Sequence, residues 1–142
     1  MQKKKAKAVW MGNLKDGNGK IEFANGTVCQ KYSFASRFED GAGTNPEELL
    51  AAAHAGCFSM ALSAALSDAG FVPDSVETEA NAVLTRDGDG FKIASVHLYT
   101  RAQVPNIDAK LFQTIAEDAK QNCPVSKALG NVAITLSAKL NL

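Results

Sequence analysis

Charge of one sign is what this sequence lacks: 15 Lys and Arg stand against 15 Asp and Glu, leaving a formal net charge of zero. Such a chain has no field to gather polyanions, so nucleic acid and anionic membrane are not expected partners. The one basic patch, residues 2–7, reads as a solvated leader into a strand. Neither an apolar run of signal-peptide length nor a small-residue cleavage pattern follows it before Gly12. Long hydrophobic runs are also missing. The most apolar segment, residues 51–66, is broken by His54, Ser59 and Ser63, short of the roughly 18 apolar residues of a membrane helix. The expected compartment is therefore the cytoplasm. Cysteine is scarce, with 3 residues and no Cys-x-x-Cys pair. A chain of this length buries roughly 68 to 70% of its unfolded surface and needs no disulfide or metal staple. Where thiols are kept reduced, a cysteine pair points to redox or metal chemistry. Phosphate-loop and dinucleotide fingerprints, internal repeats and linkers are absent too, which leaves one expected domain over residues 1–142.

What is present is a sequence of short elements. Turn signals at Asp16-Gly17-Asn18-Gly19 and Asn25-Gly26 separate segments containing Val9, Trp10, Ile21, Phe23, Val28 and Tyr32, a three-strand meander. At Asn45-Pro46-Glu47-Glu48 a helix begins, with Asn45 as cap, Pro46 in the first position and two acids at the positive helix end. Small residues (Ala51, Ala52, Ala53, Ala55, Gly56, Ala61, Ala64, Ala65) cover much of its circumference up to a stop at Gly70. That pattern predicts a central, buried helix. Residues 76–86 and 91–104 form a second hairpin around Asp87-Gly88-Asp89-Gly90. Asp108 caps a helix over 109–121 carrying Leu111, Phe112, Ile115 and Ala119, and a short helix follows at 125–129. Residues 132–140 then alternate as a last half-buried strand. The order βββ-α-ββ-αα-β lacks strict βαβ alternation and predicts an α+β fold with mostly antiparallel sheets.

Chemistry must come from the cysteines. Cys57 lies about three turns inside the long helix, beyond reach of the helix-end field, and apolar burial alone would leave its thiol inert. An active Cys57 needs a cation, and two are near in sequence: His54, one turn earlier on the same face, and Arg37, which carries a fixed charge and a fork of donors. Each has an ordinary reading as well, His54 as a bonded core residue and Arg37 as the surface partner of Glu39 or Asp40. Cys123, before Pro124, occupies the expected cap of the short helix, where free amide donors favour a thiolate. Cys29, in a strand, reads as an inert small hydrophobe.

Gly43-Thr44-Asn45-Pro46-Glu47-Glu48-Leu49-Leu50, then Ala52-Ala53-His54-Ala55-Gly56-Cys57-Phe58-Ser59-Met60-Ala61-Leu62, and later Asn122-Cys123-Pro124-Val125-Ser126, resemble the OsmC/Ohr family of thiol peroxidases. The upstream Tyr32-Ser33-Phe34-Ala35-Ser36-Arg37-Phe38-Glu39 resembles the OsmC branch more than the Ohr branch. The resemblance implies a peroxidase that reduces organic hydroperoxides, and hydrogen peroxide less efficiently, without haem, flavin or metal. It implies an intertwined homodimer and a role in oxidative and hyperosmotic stress. On the matching positions Cys57 is the attacking cysteine and Cys123 the resolving one, while Arg37 and Glu47 complete the site. Regeneration is by a dithiol reductant, for the Ohr branch a lipoyl protein.

The mechanism this implies is a Cys57 sulfenic acid converted to a Cys57–Cys123 disulfide, with Arg37 lowering the thiol pKa and stabilising the leaving oxygen. Phe34, Phe38, Phe58 and Met60 would favour alkyl peroxides. Glu47 and Cys57 stand ten residues apart, about 15 Å along one straight helix, so the acid could act on the thiol only through Arg37, from a bent entry loop or from a second subunit. The rival readings are a zinc site from His54, Cys57, Cys123 and His97, a non-catalytic binding or structural dimer, and acyl transfer by Cys57 with His54.

Overall fold

Three short strands open the chain because two turns are written into it. In the computed structural model, which describes residues 1–141, β1 (Ala6–Met11), β2 (Asn18–Phe23) and β3 (Cys29–Tyr32) form an antiparallel sheet in that order. At the first turn the Asp16 N–H donates to Asn13 Oδ1 at 2.7 Å. At the second, Asn25 takes a left-handed conformation, φ 67°, a state its short polar side chain tolerates. Gly19 lies opposite Trp10 on one side and Tyr32 on the other. A Cβ there would stand 2.4 Å from the Tyr32 ring, so glycine allows the two aromatics to meet at 5.2 Å.

The chain divides into two compact units, the first spanning Met1–Leu49 and the second starting at Leu50. Besides the sheet, the first holds a short helix absent from the expected order, α1 (Phe34–Phe38). Its start is a reciprocal box: Ser33 Oγ accepts from the Ser36 N–H at 3.0 Å, and the Ser33 N–H donates to Ser36 Oγ at 2.8 Å. The order is therefore βββ-αα-ββ-αα-β. The α2 helix (Pro46–Asp68) starts as its sequence predicts, with Pro46 first and Asn45 Oδ1 accepting from the Glu48 N–H at 2.8 Å.

In the second unit β4 (Ser75–Asp87) pairs antiparallel with β5 (Gly90–Gln103), and α3 (Ala109–Asn122) and α4 (Pro124–Ala128) lead to β6 (Ala133–Asn141). This last strand pairs parallel to β5, and the two intervening helices supply the long crossover that parallel pairing needs. The fold is α+β, and the β5–β6 pair is its exception to antiparallel pairing. One core joins Phe58, Leu62 and Leu66 of α2, Val96 and Leu98 of β5, and Phe112, Ala116 and Ala119 of α3. A polar ladder also ties α2 to the sheet, from Ser59 Oγ through Thr78 Oγ1 to Thr100 Oγ1 at 2.8 and 3.0 Å.

Three expectations are corrected here. Within the chain α2 is not buried all round: His54, Phe58, Leu62 and Leu66 form one buried line, while Ala52, Ala53, Gly56, Met60 and Ala64 are exposed. Its small residues leave that second face flat instead of filling space around it. By length and composition α2 is also apolar enough to cross a membrane, because His54 and the serines do not offset its many Ala, Leu and Met residues. In α3 the buried line is Phe112, Ala116 and Ala119, and Leu111 is exposed, since the helix turns only one stripe inward.

Candidate active site

Within the first unit, the α1–α2 connection holds an arginine and a glutamate face to face. Ser36 Oγ donates to the Thr44 carbonyl at 2.7 Å, and Asn45 Nδ2 donates to the Ser36 carbonyl at 2.9 Å. The Thr44 N–H reaches back to the Lys31 carbonyl at 2.9 Å. Gly43, at φ 114°, makes this return: a Cβ would stand 2.5 Å from the Lys31 carbonyl oxygen. The folded-back connection brings Arg37 onto Glu47, Nη2 to Oε1 at 2.7 Å and Nε to both carboxylate oxygens at 3.2 Å. The Glu47 side chain is 10% exposed and that of Arg37 34%, so the carboxylate is sunk while the guanidinium stays open on one side. This pairing replaces the surface pairing with Glu39 or Asp40. Beside it lies a cavity of about 380 Å³ walled by Trp10, Leu14, Tyr32, Phe34 and Phe38, with Arg37 in its lining.

The second unit brings the two motif cysteines together. Cys57 projects from α2, and Cys123 ends α3 and precedes α4, its N–H donating to the Ala119 carbonyl at 3.0 Å. Both thiols are free, and their sulfurs stand 2.9 Å apart. Closing a bond near 2.04 Å needs an approach of only about 0.9 Å. Cys123 is fully buried, whereas Cys57 is partly open. Burial, and then the neighbouring Cys123, push the Cys57 thiol up, against a lowering influence from the Val125 N–H. Burial also raises Cys123, but hydrogen bonds from Cys57, from the Ser126 N–H and hydroxyl and from the Val125 N–H outweigh it, and its thiol lies below the ordinary value. Cys123 makes no side-chain capping bond of the usual kind.

The remaining residues sort differently. His54 is fully buried with Nε2 2.7 Å from Ser126 Oγ, and desolvation lowers its pKa. Burial thus disfavours the imidazolium, which makes His54 the weaker of the two candidate cations. Its partner Ser126 was not singled out in the sequence; the available signal was its place three residues after a cap position, where a side chain turns back toward the cap. His97 faces Thr135 and Ser137 across β5 and β6. Among the described residues no group of three His, Cys, Asp or Glu side chains could hold a metal ion. Cys29, expected to be an inert small hydrophobe, is exposed, its sulfur 4.0 Å from Glu22 Oε1. Phe58 is core and Met60 is 77% exposed, leaving Phe34 and Phe38 as the aromatics beside Arg37.

A sealed thiol and a partly open thiol this close together have the geometry that a thiol–disulfide couple requires. The OsmC-like protein family model matches residues 39–137, and the chain belongs to that family. It is 46% identical over 138 residues to Peroxiredoxin OsmC of Escherichia coli, covering 96% of each chain. It is 37% identical to the organic hydroperoxide resistance protein of Xanthomonas axonopodis pv. citri, covering 68% of each. Among solved structures, the organic hydroperoxide resistance protein OhrB of Bacillus subtilis superposes with a TM-score of 0.71 at 30% identity, over 95% of this chain and 98% of that one. These names support a thiol-peroxidase type of enzyme.

Proposed function

We propose that the protein reduces organic hydroperoxides to alcohols, and hydrogen peroxide less efficiently, by a two-cysteine cycle. The observation that carries this reading is the pair of free thiols 2.9 Å apart, one open and one sealed. A peroxide can meet only the open sulfur, which makes Cys57 the attacking residue and Cys123 the resolving one. Cys57 thiolate attacks the distal peroxide oxygen, the O–O bond breaks, and the alkoxide leaves as alcohol after taking a proton. The resulting sulfenic acid is attacked by Cys123, and water leaves as the Cys57–Cys123 disulfide forms. An external dithiol then reduces the disulfide; a lipoyl protein is the donor to test first.

Burial, and then the neighbouring Cys123, push the Cys57 thiol up, so its thiolate requires a cation. We assign that role to Arg37, with Glu47 as the positioning residue that fixes its fork. The apolar cavity around Phe34 and Phe38 supports a preference for alkyl peroxides. The exposed small-residue face of α2 supports a homodimer, and a cytoplasmic stress-defence role fits the chemistry. The test is peroxidase turnover with cumene hydroperoxide and with hydrogen peroxide, in wild type, Cys57→Ser and Cys123→Ser. Preference for the organic peroxide, lost in Cys57→Ser, is the expected result. Turnover unchanged in Cys57→Ser would refute it and leave the non-catalytic dimer.

A further inference from the structure

One side chain reaches both elements that carry the Arg37–Glu47 pair. Asn45 reads in the sequence as a helix cap and nothing more, and its Oδ1 does accept from the Glu48 N–H at 2.8 Å. The other end of the same amide is also used, Nδ2 donating to the Ser36 carbonyl at 2.9 Å. Ser36 is the residue before Arg37 on α1, and Glu48 is the residue after Glu47 on α2. A rigid planar group thus spans the two backbones at the points next to the charged side chains. Capping needs an acceptor only, so Asp, Ser or Thr would start the helix as well. The Nδ2 donor does nothing for the helix. What it fixes is the distance from α1 to the first turn of α2. On that distance depends whether the guanidinium meets the carboxylate through both Nε and Nη2, as it does at 3.2 and 2.7 Å. A two-pronged contact has one such geometry, whereas a single contact tolerates many.

We propose that Asn45 is a positioning residue for Arg37: its amide clasps α1 to the start of α2, holds the Arg37 fork square on Glu47, and so keeps the open side of the guanidinium aimed one way. Asn45 acts only through Arg37, so this rests on the role proposed for that residue above. Glu47 occupies Nε and Nη2 and leaves Nη1 for a peroxide oxygen. Without the clasp α1 and the first turn of α2 can drift, the fork opens to a single contact, and Nη1 swings. Misplacing a catalytic group by about 1 Å costs up to about a hundredfold in rate. The bond from Ser36 Oγ to the Thr44 carbonyl, 2.7 Å, remains when Asn45 is changed, so the loss should be partial.

The experiment is a double-mutant cycle in a Cys29→Ser parent, comparing Asn45→Ser, Arg37→Ala and the two together. Ser keeps the capping acceptor but lacks the amide donor. Two quantities are read on the reduced protein: the melting temperature, and the second-order rate of thiol loss with cumene hydroperoxide. Rates are taken well below the melting transition, so they report folded protein. Asn45→Ser should melt within about 2 °C of the parent and react about tenfold more slowly. Arg37→Ala should react at least about a hundredfold more slowly. Adding Asn45→Ser to it should change the rate by less than about twofold, because a clasp that works through Arg37 has nothing left to hold. A purely structural role would slow the reaction equally in both backgrounds, and that result would overturn the proposal. So would an Asn45→Ser rate equal to that of the parent, which would show that the Ser36–Thr44 bond alone holds the fork. An Arg37→Ala rate equal to that of the parent would instead overturn the role given to Arg37.

Discussion

The two site sulfurs cannot carry charge together. At a separation of 2.9 Å, two thiolates repel by about 6 kcal/mol at an effective dielectric near 20, and by about 3 kcal/mol if water reaching Cys57 doubles the screening. Since roughly 1.4 kcal/mol is a factor of ten, double ionisation is disfavoured at least about a hundredfold. The reduced pair should therefore titrate in two well-separated macroscopic steps. Burial and the neighbouring Cys123 raise Cys57, while the hydrogen bonds to Cys123 outweigh its burial and lower it, so the two steps spread to either side of the ordinary thiol value. In a Cys29→Ser background, ultraviolet thiolate absorbance should rise by one thiolate below the ordinary thiol range and by a second only above it. Adding Cys123→Ser removes the neighbouring charge and hydrogen bond that raise Cys57, and its single step should move to lower pH than the wild-type second step. Stability follows with a definite sign. Cys123, depressed in the folded state, contributes stability above the unfolded thiol value and loses it as pH falls through its folded value. Cys57, raised, contributes below the unfolded value and loses it as pH rises through its folded value. Reduced protein should thus be most stable, as far as these thiols decide it, near the unfolded thiol value of about 8.5. Two thiolates appearing in one step would refute the reasoning.

Other perturbations test other links. Glu47→Gln keeps the shape but removes the charge that holds the Arg37 fork. Because Arg37 is 34% exposed, the stability cost should be near that of a screened pair, about 1 kcal/mol. The organic-peroxide kcat/KM should nevertheless fall more than tenfold, about 1.4 kcal/mol of transition-state stabilisation; an unchanged kcat/KM would remove Glu47 from the site. Phe112→Ala opens a cavity at a fully buried position and should cost about 3 to 5 kcal/mol in urea unfolding, with a loss under about 1 kcal/mol contradicting the core described. Gly43→Ala puts a Cβ into a left-handed residue 2.5 Å from a carbonyl oxygen and should lower stability by about 1 to 3 kcal/mol; an unshifted melting temperature would show that the connection relaxes freely.

Particular residues show where the sequence was legible. Asn45, Pro46 and Asp108 announce helix starts through local hydrogen bonding, and both helices begin there. The alternation from residue 132 to 140 gives β6, but alternation is the same in parallel and antiparallel pairs, so its direction came only with the crossover. The α1 helix escaped because Ser36, not Glu or Gln, closes its box, and five residues are too few for a periodic pattern. Small residues around α2 signal close approach without saying whether the neighbour lies in the same chain. At the site, Cys57 and Cys123 stand out as the thiols with chemical context, yet their contact across 66 positions is a tertiary fact. His54 carried two readings because a helical face does not specify which hydroxyl meets it; only the fold brings Ser126 there.

The central claim is that Cys57 and Cys123 are a peroxide-driven dithiol–disulfide pair. The most direct measurement is intact mass and peptide mapping after one equivalent of cumene hydroperoxide is added to reduced protein. The account predicts a loss of two hydrogens per chain, one linked peptide joining Cys57 to Cys123, and arrest at a Cys57 sulfenic acid in Cys123→Ser. An unchanged mass, or oxidation falling on Cys29 while Cys57 and Cys123 stay reduced, would contradict it.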